Sequence, residues 1–167
     1  MYKTLIRPFL FKLNPESAHQ LTMKMLKIAG SIPFCRSIVR LIFKHEHKNL
    51  SREVFGIRFP NPVGLAGGLD KNGECYNELS DFGFGFVEIG SLTAKPQPGN
   101  PKPRLFRVVK DNAIINRMGI NNNGVSEAIK NINSKHPEVI IAGNIAPNSS
   151  SQGEQVAEDY KTAFSLL

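Results

Sequence analysis

An alternation of short apolar segments with amphipathic segments after residue 51 constrains the fold more than any other feature. Runs rich in β-branched and aromatic residues favour strands, whereas apolar residues at helical spacing favour helices. Strands are predicted over residues 54–59, 63–66, 86–89 and 139–142, and helices over residues 74–82, 125–134 and 155–167. Strands separated by helices predict right-handed crossovers and a parallel sheet, either doubly wound or closed into a barrel.

The length of the chain limits how much of a barrel it can hold. A complete (β/α)8 barrel needs about 250 residues. After Ser51 the 167-residue chain offers only three or four strand and helix units, and its last helix reaches Leu167 without a Gly, Asn or Pro to end it. If the fold is a barrel, we expect this chain to form its first part and to leave the barrel incomplete.

The first 48 residues differ from the rest in pattern and in charge. Apolar spacing predicts an amphipathic helix over residues 2–12, a second helix from Asn14 and Pro15 to Gly30, and a third after Pro33. The segment carries nine basic and two acidic residues, which equals the net charge of +7 of the whole chain. Such a local excess indicates an acidic partner, either an anionic lipid surface or nucleic acid.

A polar stretch over residues 44–51 predicts a domain boundary. It divides the chain into a helical extension, residues 1–48, and an α/β unit, residues 49–167. His45 and His47 could bind a metal, but no third ligand lies nearby in the sequence, so a solvated linker is the favoured interpretation.

Two further observations limit the compartment. The two cysteines, Cys35 and Cys75, are far apart and outside any paired-ligand spacing, which favours a reducing cytoplasm. No apolar run approaches the roughly 18 to 20 residues of a bilayer-spanning helix. We therefore expect a protein that does not span the membrane.

The first candidate site follows the predicted strand 63–66. Gly67 and Gly68 lack side chains and let the backbone approach a flat or phosphorylated ligand, and Asp70 with Lys71 follow at the carboxyl end of the strand. Ligands of parallel α/β folds bind at that end. A tight turn with a solvated lysine would explain the same residues. The glycine spacing is not that of a P-loop, which disfavours nucleotide hydrolysis.

Two loop segments provide further candidates. Residues 90–107 contain five glycines or prolines between Pro96 and Pro103, which predicts a stiffened loop. Residues 115–124 hold four asparagines within eight positions and Arg117, a set suited to a planar polar heterocycle. Asn144 and Asn148 follow the strand 139–142 in a similar way. Turn preference and solvation alone would also account for such loops.

Together these segments resemble one family, the quinone-dependent (class 2) dihydroorotate dehydrogenases, in its N-terminal half. The resemblance covers essentially the whole chain and includes the start of the second helix, Asn14-Pro15-Glu16-Ser17-Ala18-His19. Its other strings are Asn61-Pro-Val-Gly-Leu-Ala66, Leu69-Asp-Lys-Asn-Gly-Glu74, Lys95-Pro-Gln-Pro-Gly-Asn-Pro-Lys-Pro-Arg-Leu-Phe-Arg107 and Ile115-Asn-Arg-Met-Gly119.

The resemblance implies an FMN-containing (β/α)8 barrel that oxidises dihydroorotate to orotate in pyrimidine (UMP) synthesis and passes the electrons to a membrane quinone. The implied FMN contacts are Gly67, Gly68, Leu69, Asp70, Lys71, Ser91 and Asn144. The implied dihydroorotate contacts are Lys71, Asn116, Arg117, Met118, Gly119 and Ile120. His19 and Arg107 would face the quinone channel, and no metal is implied.

The resemblance also implies a location. A basic, amphipathic helical hood explains the charge excess better than nucleic acid does, because it can rest on anionic lipid and admit an apolar quinone. We expect a peripheral protein on the cytoplasmic side of the cell membrane, monomeric in its full-length form, with no nucleic-acid partner.

The chain departs from the family pattern at several positions. Gly67 stands where alanine is usual, Ser91 where threonine is usual and Ile120 where phenylalanine is usual, and Ala146-Pro147 replaces a Gly-Lys pair. The family's catalytic base is a serine beyond Leu167, so no residue of this chain, Cys75 included, is assigned as a base. We expect the 167-residue chain alone to be inactive and not to bind FMN tightly.

Three alternatives stay open from the sequence. The chain could come from a flavin barrel of another class, which the N-terminal helices disfavour. It could instead be a non-catalytic half-barrel that assembles with a partner, or a membrane-binding module.

Overall fold

A parallel sheet of three strands lies at the centre of the computed structural model, which describes residues 2–45, 47–134 and 138–167. Its strands, in spatial order, are β3 (Gly64–Leu65), β4 (Phe86–Leu92) and β7 (Ile140–Ile145). Gly64 pairs with Phe86, and Val87 pairs with Ile141. The predicted strands at residues 63–66, 86–89 and 139–142 are therefore confirmed, with ends that shift by a few residues.

Three helices cover one face of this sheet: α4 (Tyr76–Ser80), α5 (Val125–Asn133) and α6 (Glu154–Leu166). Val87, Ile89 and Leu92 of β4 are fully buried, in one cluster with Tyr76, Val125, Ala128 and Ala163 of the helices. Each such aliphatic side chain contributes about 1.5 to 3 kcal/mol by leaving water. This cluster is the hydrophobic core between the sheet and the three helices.

The opposite face of the sheet carries Phe86, Glu88 and Asn144, and it is less buried. Gly64 is required there, because a Cβ on it would lie 2.0 Å from the ring of Phe86. The Phe86 ring also meets Phe59 edge to face at 5.5 Å between centroids.

The N-terminal segment folds into helices, as predicted. One π-helical turn (Tyr2–Ile6) leads into α1 (Arg7–Lys12), followed by α2 (Pro15–Gly30) and α3 (Pro33–Phe43). The Asn14 side chain accepts a hydrogen bond from the Glu16 amide at 3.0 Å and caps α2. Among the described residues, no helix combines the length and the apolar composition needed to cross a bilayer. Glu46, in the predicted linker, lies outside the described residues.

The prediction of a single strand over residues 54–59 is wrong. Two short antiparallel strands, β1 (Arg52–Val54) and β2 (Ile57–Phe59), form a hairpin there. Phe55 and Gly56 form the turn with φ values of 55° and 73°. Two consecutive positive φ values are typical of the tight turns whose twist suits a hairpin.

A second hairpin was not predicted at all. β5 (Leu105–Val108) and β6 (Ala113–Asn116) pair antiparallel, and they overlap the segments 90–107 and 115–124 that we expected to be loops. The chain reverses over residues 109–112, where Asn112 adopts a φ of 50°. The predicted helix over residues 74–82 is also shorter than expected, because residues 70–75 form a turn before α4 begins.

Candidate active site

The carboxyl ends of β3, β4 and β7 meet at one edge of the sheet. The Gly68 amide donates to the Gly90 carbonyl at 2.6 Å, and the Gly90 amide donates to the Asp70 carbonyl at 3.1 Å. Beyond β7, the Ala146 amide donates to the Leu92 carbonyl at 2.9 Å. These bonds bring the segments that contain Gly67, Ser91 and Asn144 to the same edge.

Two glycines follow β3 for different reasons. A Cβ on Gly67 would lie 2.7 Å from Oε1 of Glu88, so a larger residue would displace that carboxylate. Gly68 has a φ of +99°, a conformation that L side chains rarely adopt, and open space lies where its side chain would be. The backbone at Gly68 is therefore accessible to a ligand.

Asn144 is oriented by a neighbour on the same face of the sheet. Its Nδ2 donates to Oε1 of Glu88 at 2.6 Å. This hydrogen bond engages the side-chain nitrogen of Asn144, so its Oδ1 points away from Glu88. The contact with Glu88 was not predicted, because a lone glutamate within an apolar strand has no distinctive spacing.

Both oxygens of the Asp70 carboxylate accept hydrogen bonds from the protein backbone. It is buried and accepts hydrogen bonds from the Glu74 amide at 2.8 Å and the Cys75 amide at 2.7 Å. Burial raises the pKa of Asp70, although these two hydrogen bonds act in the opposite direction. Its side chain holds the turn before α4 and does not line the cavity described next.

One cavity of about 640 Å³ is lined by residues that were predicted to contact the flavin, the substrate and the quinone. It lies between α1, α2, the β5–β6 hairpin and the segment after β3. Lys71 and Asn116, two of the predicted dihydroorotate contacts, both line it. Its lining also includes Gly68, Leu69, Met118, His19 and Arg107 among the predicted residues, and Leu10, Phe11, Ala18, Leu105, Val108 and Ile114 among the apolar ones.

The ammonium group of Lys71 donates to the Gly68 carbonyl. Partial burial lowers the pKa of Lys71, and the positive charge of Arg104 lowers it further, while Glu16 and Asp70 oppose the shift. His19 is half-buried on α2, and burial followed by the charge of Lys71 lowers the pKa of its imidazole. Both groups therefore occupy a partly desolvated, positively charged region.

Arg107 joins the hairpin to the first helix. Its guanidinium donates to the Leu13 carbonyl at 2.8 Å and the Leu10 carbonyl at 3.2 Å, at the end of α1. It also lies 4.6 Å from the centroid of the Phe11 ring, a cation–π contact. Arg107 thus lines the cavity while it fixes one of its walls.

The segment 116–120 is only partly directed into the cavity. Asn116 and Met118 line it, whereas the Arg117 guanidinium donates to the Pro103 carbonyl at 3.0 Å, away from the cavity. Gly119 and Ile120 have φ values of 74° and 54°, so they shape the turn. The predicted residues Gly67, Asp70, Ser91, Arg117, Gly119, Ile120 and Asn144 do not line the cavity itself.

Two of the asparagines that the sequence offered as ligand groups serve the fold. Oδ1 of Asn122 accepts hydrogen bonds from the Thr93 and Gly124 amides at 3.2 and 2.8 Å. Asn148 exchanges hydrogen bonds with the backbone of Lys95 at 3.0 and 2.8 Å. Over the residues that the structure describes, no cluster of three or more possible metal ligands occurs.

The fold and the site define an α/β protein in which the segment after β3 lines a cavity together with an asparagine and apolar side chains. A family model described as dihydroorotate dehydrogenase matches residues 49–167. The chain belongs to the dihydroorotate dehydrogenase family, as the sequence strings predicted.

Three relatives that match this chain share one name, dihydroorotate dehydrogenase (quinone). A protein of Christiangramia forsetii named dihydroorotate dehydrogenase (quinone) is 50% identical over 167 residues, which are 100% of this chain and 49% of that protein. Proteins of the same name from Methylococcus capsulatus and Coxiella burnetii are 44% and 47% identical over 100% and 97% of this chain, and 48% and 45% of their own lengths. The chain therefore spans about half the length of the curated relatives it matches.

Solved structures support the fold. A dihydroorotate dehydrogenase from Eimeria tenella in complex with ferulenol aligns with a TM-score of 0.73 at 34% identity, covering 88% of this chain and 39% of that one. The ligand-free form aligns with a TM-score of 0.72 over 89% of this chain and 41% of that one. The mixed α/β fold is thus that of the dihydroorotate dehydrogenases.

Proposed function

We propose that this chain contributes to an FMN-dependent oxidation of dihydroorotate to orotate in pyrimidine (UMP) synthesis, with a membrane quinone as electron acceptor. The observation that supports this most is that Lys71, Asn116, His19 and Arg107 all line one cavity. The class name of the relatives supports the same reaction.

The residues at the sheet edge fit a flavin. Gly68 leaves open space beside the backbone, which a flat ring needs for close approach. Gly67, Leu69, Ser91 and the Asn144 amide would hold it there, whereas the Asp70 carboxylate would contribute only by shaping the turn. When bound, FMN supplies the hydride acceptor for dihydroorotate and the electrons for the quinone.

Lys71 and Asn116 would bind the substrate. A planar anionic pyrimidine needs a cation for its carboxylate and amides for its ring edges, and these two side chains provide both at one cavity. Met118 would pack against it, and Arg117, Gly119 and Ile120 would act through the shape of the segment.

The apolar wall suits a quinone. Leu10, Phe11, Ala18 and Leu105 line the same cavity as His19 and Arg107, so an apolar ring could bind there beside polar groups. The two ligands would thus bind in one cavity.

No group of this chain is proposed as the catalytic base. Cys75 is buried, and burial raises the pKa of its thiol to about 12, which makes it unsuited to accept a proton near neutral pH. The chain supplies binding and orientation in this proposal.

The helical extension, residues 1–48, would seat the protein on the cytoplasmic side of the membrane. Leu5, Phe9, Phe34 and Leu41 expose 59% to 84% of their surfaces, and the segment carries the excess positive charge. Residues 49–167 would form the first part of a (β/α)8 barrel, monomeric in the full-length protein and without a nucleic-acid partner.

The proposal is tested with the longest natural polypeptide that contains this sequence. With FMN and dihydroorotate, it should reduce a soluble quinone analogue, and Lys71→Met should reduce kcat/KM by about 10² or more, because the carboxylate loses its cation. Orotate formation with fumarate or a nicotinamide as electron acceptor, and none with the quinone, would favour a flavin barrel of another class. No oxidation with any acceptor would favour a non-catalytic half-barrel. The 167-residue chain alone should not form a stoichiometric yellow complex.

A further inference from the structure

A buried ion pair joins α2 to the proline-rich segment before β5. Glu16 and Arg104 are each 6% exposed. Arg104 donates from Nη2 to Oε1 of Glu16 at 2.8 Å and from Nε to Oε2 at 3.2 Å. Hydrogen bonding by Arg104 lowers the pKa of Glu16, so the pair is ionised near neutral pH.

The same guanidinium organises the backbone next to the segment 116–120. Its Nη1 donates to the Pro98 and Asn100 carbonyls at 2.6 and 3.0 Å. Asn100 in turn donates from its amide to the Met118 carbonyl at 3.0 Å and from Nδ2 to the Arg117 carbonyl at 2.8 Å. The Arg117 amide donates to the Arg104 carbonyl at 2.9 Å. A continuous set of hydrogen bonds thus runs from Glu16 on α2 to the segment 116–120.

We propose that Glu16 and Arg104 are positioning residues, which hold α2 and the segment 116–120 at one fixed separation and thereby set the shape of the cavity between them. Neither side chain lines that cavity, so both act through other residues. The inference rests on the proposed function in one respect: residues 116–120 are taken as the dihydroorotate segment, and α2 as the quinone wall.

The pair also controls charge beside the cavity. The charge of Arg104 acts to lower the pKa of Lys71, and the charge of Glu16 acts to raise it. Removal of Glu16 alone would leave the guanidinium buried without its carboxylate, which is a strongly unfavourable state. The Arg104 guanidinium would then shift toward solvent and lose its hydrogen bonds to the Pro98 and Asn100 carbonyls.

Hydrogen exchange measures this coupling without flavin or substrate. In Glu16→Gln, the Asn100 and Arg117 amides should exchange at least about tenfold faster than in the original chain. The Ala146 amide, bonded to Leu92 in the central sheet, should keep its rate. Lys102→Gln is the matched control, since Lys102 contacts Glu16 at 3.3 Å but its side chain is 62% exposed. Unchanged exchange of Asn100 and Arg117 in Glu16→Gln would overturn the proposal.

A second variant covers the case in which Glu16→Gln does not fold. Arg104→Lys keeps the charge but loses the two-pronged geometry, so it should also accelerate exchange at Asn100 and Arg117, by a smaller factor. In the active enzyme, Glu16→Gln should raise the KM values for dihydroorotate and quinone together, whereas Lys102→Gln should leave both unchanged. Unchanged exchange at Asn100 and Arg117 in the variants refutes only this inference, while absence of dihydroorotate oxidation in the original enzyme refutes only the proposed function.

Discussion

At Lys71, partial burial sets the acid–base behaviour of the site. Burial and the charge of Arg104 lower the pKa of this ammonium, so it loses its proton at a lower pH than a solvated lysine. Orotate remains an anion over that range. We therefore expect orotate affinity to fall as pH rises through the lowered pKa of Lys71, measured by calorimetric titration between pH 7 and 10 with the FMN-loaded enzyme.

Lys71→Arg provides the comparison for that titration. Its guanidinium stays protonated throughout the range, so its orotate affinity should be nearly independent of pH. If both proteins lost affinity at the same pH, another group would be responsible.

The carboxylate of Asp70 accepts two backbone hydrogen bonds in the turn before α4. Asp70→Ala should lower the free energy of unfolding by about 2 kcal/mol, because two amides beside α4 would lose their acceptor. Asp70→Asn keeps one acceptor oxygen and should cost less. Urea denaturation of the two variants measures the difference, and equal losses would contradict this role of the Asp70 hydrogen bonds.

At the scale of elements, ion pairs join α3 to the α/β unit. Asp81 is 3% exposed and accepts hydrogen bonds from Nε of Arg36 at 2.6 Å and from Nε of Arg40 at 2.5 Å. Glu138 contacts both arginines from the other side. These ion pairs connect α3, in which no residue is fully buried, to the α/β unit.

Asp81→Asn should detach α3. We expect a loss of about 2 kcal/mol in unfolding free energy, below the value for a fully buried pair because both arginines are partly exposed. Trypsin should then cleave faster at Arg36 and Arg40, as followed by mass spectrometry. Glu138→Gln is the control, since Glu138 is more exposed and should matter less; equal cleavage rates in both variants would rule out a special role for Asp81.

At the scale of the whole molecule, the basic extension exposes large apolar side chains, among them Leu5, Phe9, Phe34 and Leu41. We expect the protein to sediment with anionic vesicles and to be released by salt, because Lys and Arg interact with charged lipid over about one Debye length. The double change Leu5→Glu and Phe9→Glu should reduce sedimentation about tenfold or more. Phe164→Glu on α6, also highly exposed, should not change it; an equal effect of both would contradict a membrane role specific to the extension.

Local patterns were sufficient for part of this molecule. Apolar spacing and capping residues identified the helices, as at Asn14 and Pro15, because helix formation depends on residues within a few positions of one another. The three parallel strands and the strings around Lys71 and Asn116 were equally visible, and the family followed from those strings.

The partners of charged and polar side chains were decided only by the tertiary structure. Glu16 and Arg104 are 88 positions apart, and Arg36 and Asp81 are 45 apart. No local pattern selects such partners, because burial of an ion requires shape and hydrogen bonds from several elements at once. The β5–β6 hairpin and the hydrogen bonds from the Glu74 and Cys75 amides to Asp70 join residues that are close in sequence. The two ion pairs join distant elements instead, so only the tertiary structure could decide them.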